Sequence, residues 1–196
     1  LPGPDQIDVR GVPAEMFGDR LLAVTAAAAI EVRGTTRSAV LITLAQRDGE
    51  YWTVFTRRPD DLRRHPGEIS FPGGRLEPDD RDLLHTALRE AQEEVGLDPA
   101  GVTILGALAP TPTIATGYAI YPFVGLIANN LEWVPSPAEV AELIELPLAA
   151  VKRGYGRRRL VRRGLPIRTD TYVVGDHLIW GATARILGDL FDRIEL

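Results

Sequence analysis

The chain has 196 residues, 45% of them hydrophobic and 25% charged, with a formal net charge of −5. These proportions are those of an ordinary globular protein and exclude global disorder and fibrous repeats. With no cysteine, a disulfide framework, a zinc–thiolate site and a thiol nucleophile are excluded too, which agrees with a reducing cytoplasm. No apolar run approaches the roughly 18–20 residues of a membrane span. Residues 21–30 are apolar but short, rich in Ala and not preceded by a basic stretch, so no signal peptide is expected.

The charge is unevenly spread. Residues 151–169 hold Lys152, Arg153, Arg157, Arg158, Arg159, Arg162, Arg163 and Arg168 without one acid, a local charge of +8 that leaves −13 for the remainder. A nucleic-acid protein is usually basic overall, and this chain is not. A small polyanion is the more economical partner.

In chain order, residues 19–29 read as a helix rich in Ala. Residues 38–45 and 51–57 are apolar, β-branched runs around the turn pair Asp48-Gly49, the pattern of a hairpin. Residues 58–78 are irregular and rich in Pro and Gly, the mark of a functional loop, with residues 68–71 as a short strand inside it. The clearest helix covers residues 80–95, capped by Asp79 or Asp80 and stopped by Gly96 and Pro99. Strands are expected at 102–109, 119–128 and 142–146, with a helical turn at 138–141. Residues 158–162 and 169–174 form a second hairpin, and residues 180–194 a closing helix. This mixture lacks regular βαβ alternation and predicts an α/β fold with a mixed sheet and helices on its faces.

The chemistry lies in the segment Leu88-Arg89-Glu90-Ala91-Gln92-Glu93-Glu94-Val95-Gly96-Leu97. At roughly 100° per residue, Glu90, Glu93 and Glu94 share about 100° of helical arc, and the stripe of Leu84, Leu88, Ala91 and Val95 lies about 140° away. Three like charges so placed repel one another. Mg²⁺ prefers such hard oxygen ligands and completes its shell with water and substrate phosphate. Arg89 is placed to hold Glu93 one turn on. A solvated acidic face is the plainer alternative. Upstream, Ser70-Phe71-Pro72-Gly73-Gly74 lets the backbone approach a phosphate chain closely. Loop and helix together describe a metal–diphosphate site.

These residues resemble the Nudix box: Gly, five residues, Glu, seven residues, then Arg-Glu-apolar-any-Glu-Glu-any-Gly-apolar. The second half matches from Arg89 to Leu97. In the first half Gly74 lies one residue further from Arg89 than the pattern has it, and Asp80 or Glu77 stands in for the missing Glu. Phe55-Thr56-Arg57-Arg58, Arg63, Gly67 and Phe71-Pro72-Gly73-Gly74 further resemble the signature of the coenzyme A diphosphatase branch. Val54 and Phe55 stand where that signature has leucines, and Pro59 where it has a small residue. The likeness extends through Tyr121-Pro122-Phe123-Val124-Gly125 and Ile179-Trp180-Gly181-Ala182-Thr183-Ala184.

The resemblance implies one domain over residues 1–196, with a core at about 37–190, folded as a Nudix α/β/α sandwich. It implies Mg²⁺- or Mn²⁺-dependent hydrolysis of coenzyme A or its derivatives to 3′,5′-ADP and 4′-phosphopantetheine. Glu90 and Glu94 would ligate metal, with Glu93 as a further ligand or as base and Arg89 beside it. Arg57, Arg58, Arg63, Gly73 and Gly74 would contact substrate. The rivals are another Nudix substrate, such as ADP-ribose or a dinucleotide, and a Nudix-like binding module without turnover. Among the other residues, His65, His85 and His177 read as structural. Glu139, Glu142 and Glu145 are candidates for a late-placed base. Tyr118, Tyr121, Phe123 and Trp180 read as packing residues. For the 3′-phosphate, the arginines at 57, 58, 63 and 64 are the first candidates. The basic segment is either a solvated hairpin or a phosphate rim.

Overall fold

Strand β1 (Thr36–Arg47) organises the protein because both of its faces are buried. In the computed structural model, which describes residues 20–59, 67–113, 116–162 and 164–194, Ala39, Leu41 and Ala45 face one apolar cluster and Ile42 and Leu44 another. A strand covered on both faces is expected to be almost continuously apolar, and the run from Ser38 to Ala45 is. Asp48 and Gly49, with φ of 50° and 81°, turn β1 into β2 (Glu50–Arg57) with Arg47 opposite Glu50. Two residues of positive φ make the tight turn that suits paired strands.

Helix α1 (Val24–Ala29) precedes β1 and is shorter than the predicted helix; residue 19 lies outside the described residues. After β2 come β3 (Ile69–Ser70) and β4 (Gly73–Arg75), the latter unforeseen because three residues carry no period. Helix α2 (Leu83–Val95) follows, then β5 (Thr103–Ala107), β6 (Thr111–Pro112), β7 (Tyr118–Leu126) and β8 (Glu142–Pro147). All eight strands join one sheet with the path β3-β2-β1-β7-β5. Off that path β4 pairs with β1, β6 with β7 and β8 with β2. Strands β1 and β7 run parallel, and the other pairings are antiparallel. The sheet is mixed, as predicted.

Helix α3 (Leu148–Arg153), absent from the sequence reading, leads into a second sheet of β9 (Tyr155–Arg162), β10 (Leu165–Val174) and β11 (His177–Trp180), ordered β11-β10-β9. The predicted second hairpin is therefore real and longer, and β11 adds a third strand to it. Helix α4 (Gly181–Arg193) closes the described chain. Leu187 and Leu190 of α4, fully buried, pack into the cluster of Ile42, Leu44 and Phe55, whereas Ala87 and Ala91 of α2 pack beside Ala39 and Leu41. Helices thus cover both faces of the mixed sheet, which makes the α/β/α sandwich. No helix among the described residues is long and apolar enough to cross a membrane.

Helix α2 corrects two details. Its amino-terminal cap is Asp82, which accepts from the His85 amide at 2.7 Å, and not Asp79 or Asp80. Its buried face is Leu83, Thr86, Ala87, Ala91, Glu94 and Val95, so Glu94 belongs to the packed stripe, whereas Leu84 and Leu88 are only half-buried. The carboxylate and apolar faces overlap. The small side chains of Ala87 and Ala91 lie on the face that meets β1. At the far end Gly96 adopts φ 73° and its amide and that of Leu97 return to Gln92 and Ala91, a terminus that favours glycine.

Candidate active site

Strand β4 is the floor of the site. Val40 opposes Gly73 and Ala39 opposes Gly74 in antiparallel register. A Cβ on Gly73 would sit 2.3 Å from the Ala39 carbonyl, so only glycine lets β4 lie flush on β1. A Cβ on Gly74 would sit 2.1–2.5 Å from the carboxylate atoms of Glu90. The space that glycine leaves open at position 74 is occupied by a carboxylate of α2.

Arg89 fixes the geometry around that carboxylate. Its Nε donates to Asp80 Oδ1 at 2.9 Å and its Nη2 to Asp80 Oδ2 at 3.1 Å, a paired grip. Nη2 also donates to the Arg75 carbonyl at 3.1 Å, Nη1 donates to Glu93 at 2.8 Å, and Glu90 lies 3.1 Å away. The Asp80 side chain is 1% exposed and also accepts from the Thr86 hydroxyl and the Glu77 amide and bonds His85 Nδ1. The Arg89 bond, aided by these partners and opposed by burial, holds its carboxyl well below the usual carboxylate range. The same bond pushes the Arg89 guanidinium up. Asp80, not Glu77, therefore pairs with the box arginine, and His85 is the structural residue expected.

Glu94 is 4% exposed. Burial pushes its carboxyl up to about 8; the Gly73 amide, which donates to Oε2 at 3.2 Å, and the charge of Arg58 pull the other way, while Glu90 and Glu139 add to the rise. Burial also raises Glu90, against the pull of Arg89. Glu139 arrives from the loop before β8. That loop is tied to α2 by the Val134 and Ser136 amides, which donate to the carbonyls of Val95 and Glu94, and to β2 by the Ala141 amide, which donates to Arg57. Carboxylate oxygens of Glu90, Glu94 and Glu139 lie within 4.8 Å of one another. Arg89 pairs with Glu90 and the charge of Arg58 acts on Glu94, yet burial still raises both carboxyls. Three hard oxygen donors so close fit Mg²⁺ or Mn²⁺.

The other sequence candidates separate. Glu93 is half-exposed on Arg89 and outside that trio. Of the late acids, Glu142 pairs with Arg57 Nε at 2.8 Å and Glu145 with Arg47, which leaves Glu139 as the one that joins the site. Arg57 is thus engaged on the neighbouring strand, whereas Arg58 lines a cleft and acts on Glu94 through its charge. Arg63, Arg64 and His65 lie outside the described residues. The cleft, of about 320 Å³, runs from Gly73 and Gly74 to Trp180 and Thr183. Arg75 and Tyr118 also line it, and Arg75 Nε donates to the Tyr118 hydroxyl at 2.7 Å. Tyr118 and Trp180, read as packing residues, are walls of this cleft; Tyr121 and Phe123 are core as expected. Sequence spacing had no means of finding Arg75, since only the β4 register puts it there. The basic segment is a hairpin with Arg158, Arg159 and Arg168 exposed and Arg157 paired to Asp170 at 3.3 Å. None of its described residues lines the cleft.

The NUDIX domain family matches residues 35–163. The uncharacterized Nudix hydrolase NudL of Yersinia pestis (strain Pestoides F) is 40% identical over 162 residues, which covers 82% of this chain and 80% of that protein. The same figures hold for NudL of Yersinia pseudotuberculosis serotype O:1b (strain IP 31758). Among solved structures, a MutT/nudix family protein from Enterococcus faecalis aligns at a TM-score of 0.55 and 12% identity, covering 84% of this chain and 63% of that one. RenU, a Nudix hydrolase from M. smegmatis, aligns at 0.51 and 20% identity, covering 68% and 81%. These structural likenesses bear on the fold alone. With the carboxylate helix, the Gly-Gly strand and the Arg89–Asp80 pair in place, the chain belongs to the Nudix hydrolase family.

Proposed function

We propose that this protein is a cytoplasmic, single-domain hydrolase that cleaves the diphosphate bond of coenzyme A or its derivatives, giving 3′,5′-ADP and 4′-phosphopantetheine or its acyl form. The observation that carries the hydrolytic part is the trio of Glu90, Glu94 and Glu139 oxygens within 4.8 Å, beside Gly74 and within reach of the charge of Arg58. The coenzyme A part is supported by the loop signature from Phe55 to Gly74.

Glu90, Glu94 and Glu139 would hold Mg²⁺ or Mn²⁺, and Glu93 is a further ligand or base at its edge. A bound divalent ion neutralises diphosphate charge and lowers the pKa of water. Arg58 and the strand of Gly73 and Gly74 orient the diphosphate. Water attacks one phosphorus, the bridging P–O bond breaks, and the proton of water passes to a carboxylate, Glu139 or Glu93. Glu139 faces the other two acids, whereas Glu93 already accepts from Arg89. Arg89 positions Glu90 and Glu93 rather than touching substrate.

The test is mass spectrometry of products from coenzyme A with Mg²⁺, beside ADP-ribose and a dinucleoside polyphosphate. Formation of 3′,5′-ADP in preference to the other products supports the reading. Preferred turnover of ADP-ribose or of the dinucleotide replaces the substrate, and metal-independent binding without turnover replaces the activity.

A further inference from the structure

The motif around Trp180-Gly181-Ala182-Thr183 has no part in the carboxylate chemistry, yet Trp180, Ala182 and Thr183 line the cleft. They form the amino-terminal end of α4, a helix of 13 residues. No side chain caps it, and its first turn holds no acid. Gly181 enters with φ 70°, and no hydrogen bond from the amides of Gly181, Ala182 or Thr183 leaves the helix among the described residues. The first amides of any helix lack internal acceptors and carry the positive end of its dipole.

A second observation is independent of the helix. Thr183 is 8% exposed, and its hydroxyl has no hydrogen-bond partner among the described residues. Two other cleft hydroxyls are engaged: Ser38 donates to the Ala119 carbonyl, and Thr113 accepts from the Tyr118 amide and the Thr116 hydroxyl. Among the described residues, fully buried side-chain polar atoms without a partner belong to Tyr51, Thr53 and Trp133 and not to Thr183, so the Thr183 hydroxyl keeps accessible surface and is free to meet a ligand. Arg58 and Arg75 line the same cleft. Glu68, the one acid among the described residues of its lining, is itself not without a partner.

We propose that this end of α4 is a phosphomonoester subsite. The amides of Ala182 and Thr183 and the Thr183 hydroxyl receive a phosphate that the substrate carries in addition to its scissile diphosphate. Backbone amides at a helix start suit a dianionic phosphate, and the diphosphate floor at Gly73 and Gly74 opens into the same cleft. The subsite deepens the coenzyme A reading and rests on it for the identity of the ligand, the 3′-phosphate. It moves that phosphate away from Arg57, which Glu142 holds, and away from the basic hairpin.

The test measures binding of 3′,5′-ADP and 5′-AMP to the full chain by calorimetry, with coenzyme A turnover assayed in parallel. Wild type is expected to bind 3′,5′-ADP at least tenfold more tightly than 5′-AMP. Thr183→Val is expected to shrink that ratio at least threefold with 5′-AMP unchanged, and Thr183→Ser to retain it. Amide shifts of Ala182 and Thr183 on titration of wild type with 3′,5′-ADP, and not with 5′-AMP, are a readout independent of any variant's folding. A wild-type ratio near one, an unchanged ratio in a folded Thr183→Val, or no shift at these amides overturns the subsite. Coenzyme A turnover without the 3′-phosphate preference sinks the subsite alone. Binding that depends on Thr183 without coenzyme A turnover sinks the functional reading alone.

Discussion

Helices α2 and α4 have the same length, 13 residues, and cover opposite faces of the same sheet, yet their ends are built differently. Asp82 caps α2 at the His85 amide and Gly96 closes it, and the helix meets β4 through the side chains of Glu90 and Glu94. Helix α4 begins uncapped at the cleft and offers backbone amides and the hydroxyl of Thr183. On the α2 side Arg89 and Asp80 are each bonded several times over, with Arg89 at the hub. Rigid placement of charge suits the proposed chemistry, and open donors suit the proposed phosphate subsite.

The comparison breaks most visibly at the carboxylates. Glu94→Gln is expected to lower kcat by two or more orders of magnitude with the fold intact by circular dichroism, and Glu90→Gln to do the same. Near-normal turnover of both at limiting Mg²⁺ would remove α2 from the chemistry. Next in size is Asp80→Asn. Breaking one partner of a buried ion pair costs about 3–5 kcal/mol, so a clear fall in Tm should accompany the loss of activity, in contrast to the stable Glu94→Gln.

Gly74→Ala sharpens the account of β4. The added methyl meets the Glu90 carboxylate, so activity should drop about tenfold, the size of a shift of roughly 1.4 kcal/mol. The stability lost by Gly74→Ala should be smaller in a Glu90→Ala background, as measured by a double-mutant cycle. Equal losses in both backgrounds would mean that the methyl clashes with something else.

The pH dependence is the smallest of these effects and separates the helices again. Glu94 titrates near 8 when folded, above the ordinary value of 4.5, so the unfolded chain releases its proton first as pH rises. Stability of metal-free protein is therefore greatest, as far as this group is concerned, below about pH 4.5 and declines toward pH 8. Mg²⁺ affinity rises across the same interval, since the cation competes with that proton. Thermal melts in a chelator between pH 5.5 and 8 should slope downward for wild type and less steeply for Glu94→Gln. Parallel slopes would show that Glu94 is already ionised.

The strong periodic elements were legible in the sequence, because a strand buried on both faces is almost continuously apolar, as Ala39 to Ala45 are apart from Thr43, and because Asp48-Gly49 and Gly96 suit backbone conformations that few other residues adopt. The contiguous run from Arg89 to Leu97 was likewise legible as a carboxylate-bearing helix, since one helical turn brings Glu90 beside Glu94 without help from the rest of the chain. What spacing along one helix could not supply was the company those acids keep. Glu139 joins them only because the loop before β8 is tied to α2 and β2, and Arg75 reaches Tyr118 only through the register of β4 on β1. Burial was equally invisible. The sequence reading set Glu94 on a carboxylate face apart from the apolar stripe, and it is in the core because Ala87 and Ala91 share the face of α2 that packs on β1 and β4. Local sequence determines which backbone a residue prefers, but hydration and partners depend on residues brought in from far along the chain. The carboxylate helix could therefore be read directly, whereas the cleft beside it, assembled from β1, β4, β7 and the start of α4, was decided by tertiary structure alone.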